Sequence, residues 1–319
     1  MNVLVTGATT PLGHAIIAAL LASPDVGHVL AVGAEPWGPG LPSSGDRFAY
    51  ERVDLTRERS VHDLLYGTAR DRGIDSVLHG VLHQAVRDRG ERVHAINVES
   101  TRMLVRACER HPAIRRFVLR SGAEVYATRP EEPNLIDEDH RLVFDPAAPQ
   151  WLRDRVEADV LTCAQIGAGP LSIAVLRCAE VLAEGVGSQL WDYLGSRVCM
   201  RPLGFDPMIN VLSIDDAVAA TVRALASDAH GVFNIPGFDT LPLSRLIARW
   251  DRLDVPVPGP LLAPLYWLRT RTVGFEFRYD LNLGRFHLGG VLDGARARTV
   301  LGYQPSHAVG FPDVRAAAA

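Results

Sequence analysis

Three groups of residues in this chain have types and spacing suited to chemistry. The first is Thr6-Gly7-Ala8-Thr9-Thr10-Pro11-Leu12-Gly13, set between the apolar run Val3-Leu4-Val5 and a helical pattern that begins at Leu12. Glycines in such a turn let the backbone approach a diphosphate, and the N–H groups and dipole of the helix N-terminus stabilise its charge. Gly7, Thr9, Thr10, Leu12 and Gly13 are therefore candidate nucleotide contacts. Thr10 takes the place of a middle glycine, so its Cβ crowds a diphosphate while its hydroxyl can donate to one. The plainer reading is a tight turn without a ligand. The second group is His79 and His83, at and just past the run Ser76-Val77-Leu78. Imidazole titrates near neutrality and can serve as acid or base; the plainer role is a hydrogen-bonded structural histidine. The third is Ser121-Gly122-Ala123-Glu124-Val125-Tyr126, which follows Arg116-Phe117-Val118-Leu119-Arg120. Tyr126 either points into a cleft there or packs beneath the loop, and Glu124 either works at the same rim or faces solvent.

The elements that must position these groups are legible as alternating apolar runs and helical periods, the form of βα units on a parallel sheet. Strands are expected at 3–5, 28–32, 50–53, 76–80, 116–120 and 172–177, with helices at 12–21, 60–70, 91–109 and 151–165. Further on, short strands at 211–214 and 232–235 flank a helix over 215–226. The fold class is therefore α/β: a Rossmann-type doubly wound parallel sheet with a smaller mixed α/β C-terminal cap. A soft boundary divides a nucleotide-binding domain, 1–180, from a substrate or cap region, 181–319, with the chain free to cross back. Ligands of such sheets bind in the crevice at the C-terminal ends of the strands.

A dinucleotide also needs an acid at the end of the second strand, to accept from the adenosine ribose hydroxyls. That position is Gly33; Glu35 is close enough to substitute, with its direction left open by Pro36. No arginine lies beside Gly33 to hold a 2′-phosphate. Asp54, with Leu55, follows the third strand and either meets an adenine amino group or caps a helix.

The chain has 319 residues and no lysine; all 33 of its basic residues are arginine. Any mechanism that needs a lysine is excluded. The net charge of −4 argues against a nucleic-acid partner. Four scattered cysteines read as reduced core residues, with no disulfide frame and no metal site. No leader is recognised, and no run of ~18 apolar residues could span a bilayer, so a soluble, cytoplasmic protein is expected. The stretch Pro258 to Leu268 (PGPLLAPLYWL) has core packing as its default role; otherwise it lines an apolar substrate channel, touches a membrane surface or makes a subunit contact. Arg177, Arg197, Arg201, Arg278 and Arg285 leave room for a phosphorylated substrate.

The TGATTPLG turn, Val53-Asp54-Leu55, Ile96-Asn97-Val98 with Thr101, VLRSGAEVY (118–126), Val175-Leu176-Arg177, Ile214-Asp215-Asp216 and Leu301-Gly302-Tyr303-Gln304-Pro305 stand in an order that resembles one superfamily. It is the extended short-chain dehydrogenases/reductases, in their NAD-dependent epimerase/dehydratase branch, and the chain is similar to actinobacterial UDP-glucose 4-epimerase-like proteins. The resemblance implies NAD or NADP, a small-molecule substrate and a homodimer packed through the helices at 91–109 and 151–165. Arg102, Arg106, Arg153 and Asp159 would make that contact polar. It also implies a serine or threonine at the end of the fifth strand and a tyrosine four residues before a lysine. In that set the lysine's charge lowers the phenol's pKa and the tyrosine passes the proton.

Here Trp151 stands at the tyrosine position, Arg155 at the lysine, and Gly122 or Ser121 at the hydroxyl. An indole N–H is no acid at neutral pH, and a guanidinium does not exchange protons as lysine does. The residues expected at the reacting centre are Ser121, Tyr126, His79, His83, Glu124, Trp151 and Arg155, with His79 and Arg155 also at the cofactor. Three functions stay open: a diverged NAD(P)-dependent epimerase/dehydratase-type protein; a non-redox lyase, cyclase or isomerase using Tyr126, His79, His83 or Glu124; and a non-catalytic binding or regulatory protein.

Overall fold

The computed structural model describes residues 1–38, 40–81, 89–273 and 277–310. The first half runs β1 (Asn2–Thr6), α1 (Pro11–Ala22), β2 (His28–Gly33), β3 (Phe48–Arg52), α2 (Glu58–Asp63), β4 (Ser76–His79), α3 (Glu91–His94), α4 (Ser100–Arg110), β5 (Arg116–Gly122), β6 (Leu135–Ile136), α5 (Gln150–Cys163) and β7 (Ser172–Cys178). The second half runs β8 (Glu180–Val181), α6 (Gln189–Leu194), β9 (Val198–Pro202), β10 (Met208–Leu212), α7 (Ile214–Ala226), β11 (Gly231–Ile235), β12 (Asp239–Pro242), α8 (Leu243–Arg249), β13 (Leu253–Val257), α9 (Gly259–Val273), α10 (Leu283–Leu288), β14 (Val291–Leu292) and α11 (Ala295–Leu301).

Seven parallel strands form the main sheet in the order β3-β2-β1-β4-β5-β7-β11. Its strands are continuous apolar runs because helices cover both faces. Val3, Val5, Val118 and Leu176 pack on one side with Ile16, Ile17 and Ala217, while Leu4, Val77, Phe117 and Val175 pack on the other with Leu64, Leu104 and Val105. The strand order reverses between β1 and β4, which opens the crevice typical of a doubly wound sheet. The single helix expected over 91–109 is interrupted by a wider turn, Ala95–Glu99, between α3 and α4. A similar turn, Leu64–Ala69, continues α2.

After β7 the chain builds a three-stranded sheet, β12-β10-β8, and two short pairs, β13-β9 and β14-β6. These enclose a separate aromatic core of Tyr193, Trp250, Tyr266, Phe277 and Phe286. The chain also crosses back: β11 joins the edge of the main sheet beside β7, and Ala217, Ala220 and Ala224 of α7 share a core with Ile16 and Ile17 of α1. Much of the apolar stretch at 258–268 forms α9, in which Leu262 and Tyr266 are buried while Leu261, Leu265, Trp267 and Leu268 are exposed. Among the described residues no helix is long and apolar enough to cross a membrane.

Candidate functional site

The glycine turn leaves β1 at the switch point. Gly7 has φ +72, and a Cβ there would lie 2.9 Å from the Gly80 carbonyl, so the turn sits directly against the exit of β4. A Cβ on Gly13 would likewise run into the Ala8 backbone, at 3.0 Å. Thr10 caps α1: its hydroxyl accepts from the Gly13 N–H at 3.0 Å and donates to the Gly7 carbonyl at 2.9 Å. That hydroxyl is spent inside the turn. Pro11, the first helical residue, brings no N–H. With Gly13 capped, Leu12 is the first-turn residue whose N–H remains for a phosphate.

The direction of Glu35 is fixed by its partners. Its carboxylate accepts the Thr9 hydroxyl at 3.0 Å, its carbonyl accepts the Tyr50 hydroxyl at 2.6 Å, and its Oε2 lies 3.2 Å from the place a Cβ on Gly33 would take. Glu35 is thus folded back beside Gly33 and the glycine turn. An arginine is also present where none was expected: Arg52, at the end of β3, donates from Nε to the Ala34 carbonyl at 2.8 Å. Asp54 caps no helix, since the residue at the N-cap of α2 is Arg57; it closes a local turn instead. It accepts from the Thr56 N–H and hydroxyl at 3.1 and 2.6 Å, and these bonds, with Arg57 beside it, hold its carboxyl below the usual range. Leu55 is buried behind it.

His79 is fully buried between two threonines. Its Nδ1 lies 2.8 Å from Thr6 Oγ1 and its Nε2 lies 2.9 Å from Thr101 Oγ1. Thr101 donates to the Asn97 carbonyl and Thr6 accepts from the Gly80 N–H. One tautomer satisfies all four groups: Nε2–H donates to Thr101, and Nδ1 accepts from Thr6. Burial pushes the imidazole down to about 4. The histidine is therefore a neutral brace between β1, β4 and α4, and does not fill the acid–base role. His83 lies outside the described residues.

Ser121 and Tyr126 also turn inward. Ser121 donates to Asp159 at 2.6 Å, and Asp159 accepts from Arg177 Nη2 and Nε at 2.6 and 3.1 Å. Asp159 is fully buried. It therefore belongs to this interior network and not to the polar surface expected on the second helix of a dimer contact. Arg102, expected in the same contact, pairs within the chain with Glu99 and Glu157. Tyr126 donates to Asn234 at 2.6 Å and accepts from Arg177, whose guanidinium lies 4.9 Å from the ring centre. Burial pushes the phenol up to about 12. Tyr126 thus locks β11 to β5 instead of facing the crevice.

Glu124 and Arg155 are brought together. The Arg155 guanidinium, carried on α5, forms an ion pair with the Glu124 carboxylate. A Cβ on Gly122 would collide with that carboxylate and lie 2.5 Å from Arg155 Nη1. Gly122 is therefore bare because the ion pair fills the space a serine would need. Arg155 is almost wholly buried, which pushes its pKa down to about 9, with Arg120 adding to the effect. Trp151 lies one turn before Arg155 on the same face of α5. Its indole N–H is enclosed and finds no acceptor among the described residues. Sequence reasoning passed over Arg120, a charged residue inside an apolar strand and two positions before Gly122. That interruption was the available signal.

The NAD dependent epimerase/dehydratase family model matches residues 3–235. An uncharacterized protein of Mycobacterium tuberculosis is 30% identical over 308 residues, which cover 95% of this chain and 80% of that protein. A 3-diazoavenalumate denitrifying reductase of a Streptomyces species is 29% identical over 332 residues, 96% of this chain and 97% of that one. Among solved structures, a short-chain dehydrogenase/reductase superfamily protein from Agrobacterium tumefaciens with bound NAD superposes with a TM-score of 0.69 at 21% identity, over 97% of this chain and 93% of that one. A Bacillus cereus UDP-glucuronic acid 4-epimerase in complex with UDP-glucuronic acid and NAD gives a TM-score of 0.69 at 19% identity, over 97% and 95%.

Proposed function

Because the chain belongs to the NAD dependent epimerase/dehydratase family, we propose that it is a nicotinamide-dependent reductase that delivers hydride to an acceptor needing no proton from the protein. The observation that carries this reading is the Arg155–Glu124 ion pair over Gly122, which fills the place of the family's hydroxyl while the nucleotide turn beside Glu35 keeps its form. Gly7, Gly13 and the Leu12 N–H would hold the diphosphate, and Glu35 would accept from the adenosine ribose, which favours NAD over NADP. When bound, the reduced nicotinamide supplies a hydride, that is, one proton with two electrons.

Reduction of a carbonyl leaves an oxyanion that must be protonated, and none of the described groups at this crevice is a suitable acid. Tyr126 is turned away, His79 is braced, and Trp151 and Arg155 hold their protons. An arenediazonium is a different acceptor: addition of hydride at the ring carbon expels N2 and gives the arene, with no further proton required. The full-length likeness to a relative named for reducing a diazo compound with loss of nitrogen supports this choice. Arg155 and Glu124 then act as fixed charges that orient the acceptor and keep water from the reacting carbon.

The experiment is titration of the purified protein with NADH and NADPH, followed by reaction of an ortho-diazophenol with [4-²H]NADH. Micromolar NADH binding and deuterium at the carbon that lost N2 are expected. No binding at millimolar nucleotide would end the redox reading. A non-redox enzyme or a binding protein would then be the better description, with Pro11, which brings no N–H, and the Thr10 Cβ as the reason the turn takes no diphosphate.

A further inference from the structure

We infer that Arg120, with Arg155 beside it, forms a carboxylate-binding site at the floor of the crevice, and that the substrate is an organic acid. The inference rests on the reading of the crevice as the substrate pocket. It starts from charge. Arg155 is paired with Glu124, Arg177 with Asp159, Arg201 with Asp254 and Arg285 with Glu180. Arg116 is bonded to Ser172 and to the Ala224 carbonyl. Arg120 is partly buried, yet among the described residues no carboxylate or carbonyl accepts from it. A cation withdrawn from water without a partner is costly. Arg120 therefore calls for an acceptor that the described chain does not supply.

Geometry places that acceptor. Alternation along β5 puts Arg120 and Gly122 on one face, opposite Leu176 and Cys178 of β7. The Arg155 Nη1 stands 2.5 Å from the Cβ position of Gly122, so the second guanidinium lies over that same face, about one pleat repeat further toward the open end of the strand. The enclosed Trp151 N–H, on the Arg155 face of α5, also lacks an acceptor among the described residues. A guanidinium without an acceptor near a strand end is what an oxyanion would satisfy, and it meets a carboxylate in a two-pronged match. The diphosphate of a dinucleotide belongs at the glycine turn after β1. That turn is two strand spacings, ~10 Å, from β5, so the anion at Arg120 is assigned to the substrate.

The test uses cinnamate and its neutral isostere cinnamamide, titrated calorimetrically into the full-length protein with and without saturating NAD⁺. Wild type should bind the acid at least ~10-fold more tightly than the amide. Arg120→Gln should reduce that preference to within ~2-fold and leave NAD⁺ affinity within ~2-fold of wild type. Arg120→Lys, which keeps the charge but loses the fork, should retain part of the preference. Thermal melts check folding, and removal of an unpartnered cation should not lower the midpoint. An acid preference unchanged in Arg120→Gln would overturn the proposal. So would a variant that weakens NAD⁺ by ~10-fold at constant acid preference, since Arg120 would then serve the cofactor phosphates. Because the acid-to-amide ratio is read without nucleotide as well, failure of the redox reading and failure of this site remain distinguishable.

Discussion

The Arg155–Glu124 pair stands over Gly122, and Gly122→Ser tests that directly. The new Cβ would collide with the Glu124 carboxylate, meet its Cδ at 2.7 Å and Arg155 Nη1 at 2.5 Å. Overfilling a packed site costs about 1–3 kcal/mol, and here the added atoms also push apart two charges that shield one another. Glu124→Ala alone leaves the buried Arg155 without its carboxylate, and breaking a buried pair costs roughly 3 kcal/mol; the partial exposure of Glu124 lowers that figure. In the double variant the serine occupies the volume that the carboxylate has vacated. The two costs should then fall short of additivity by about 1–2 kcal/mol, the range of coupling seen for residues in contact. Urea denaturation of the four proteins, compared at constant slope, measures this. Additivity to within ~0.5 kcal/mol would show that the ion pair does not stand over Gly122, and the argument for a filled hydroxyl position would fail with it.

Three further outcomes follow from the same structure. Glu35→Gln removes a charged acceptor worth about 1.5–3 kcal/mol, so NAD⁺ should bind ~10- to 100-fold more weakly while NADP⁺, with Arg52 nearby, loses less; equal losses for both in calorimetry would deny Glu35 its ribose contact. Asp159→Asn leaves Arg177 with a neutral partner in the interior. At about 3–5 kcal/mol, and roughly 2–4 °C per kcal/mol for a domain of this size, the thermal midpoint should fall by roughly 6–20 °C. His79 stays neutral in the fold down to about pH 4, whereas the unfolded chain protonates it from its ordinary value near 6.5. The unfolded state thus binds the extra proton as pH drops through that window, and stability is lost from pH 6.5 downward, levelling below about 4. The loss is on the order of 3 kcal/mol, and it should be missing from the pH profile of His79→Asn.

The order of the sheet was legible because the central strands are buried on both faces, so β1, β2 and β4 read as apolar runs and β5 and β7 as apolar runs broken only near their ends by arginine. The glycine turn was legible for a local reason: Gly7 and Gly13 answer to backbone contacts that permit no Cβ. What sequence left open is where side chains point once distant strands are side by side. Tyr126 follows the fifth strand closely, yet its direction is set by Asn234 and Arg177, which lie far along the chain. Ser121 is drawn inward by Asp159, and Glu35 by Thr9. The periodic pattern at 91–109 gave a helix but not the wider turn at Ala95–Glu99, because that turn leaves the apolar spacing almost unchanged. Arg52 illustrates the same limit, for its approach to Ala34 depends on the β2–β3 register.

Two of the departures that the resemblance implies, Arg155 and Gly122, are on the proposed reading physically one arrangement. An arginine at 155, where the resemblance implies a lysine, brings a planar fork larger than an ammonium and charged at neutral pH. Buried on α5, that fork needs a carboxylate, which Glu124 supplies from the turn after β5, and the pair occupies the space beside Gly122 that a Cβ would take. Restoring the tyrosine and lysine at 151 and 155 alone would therefore leave Glu124 facing an ammonium that is shorter and differently directed, and would return no hydroxyl at 122. On the reading proposed above, the joint placement of Arg120, Arg155 and Glu124 serves to hold an anion against a hydride donor. In that pattern the positioning is done by fixed charges, and the leaving group spares the protein a proton.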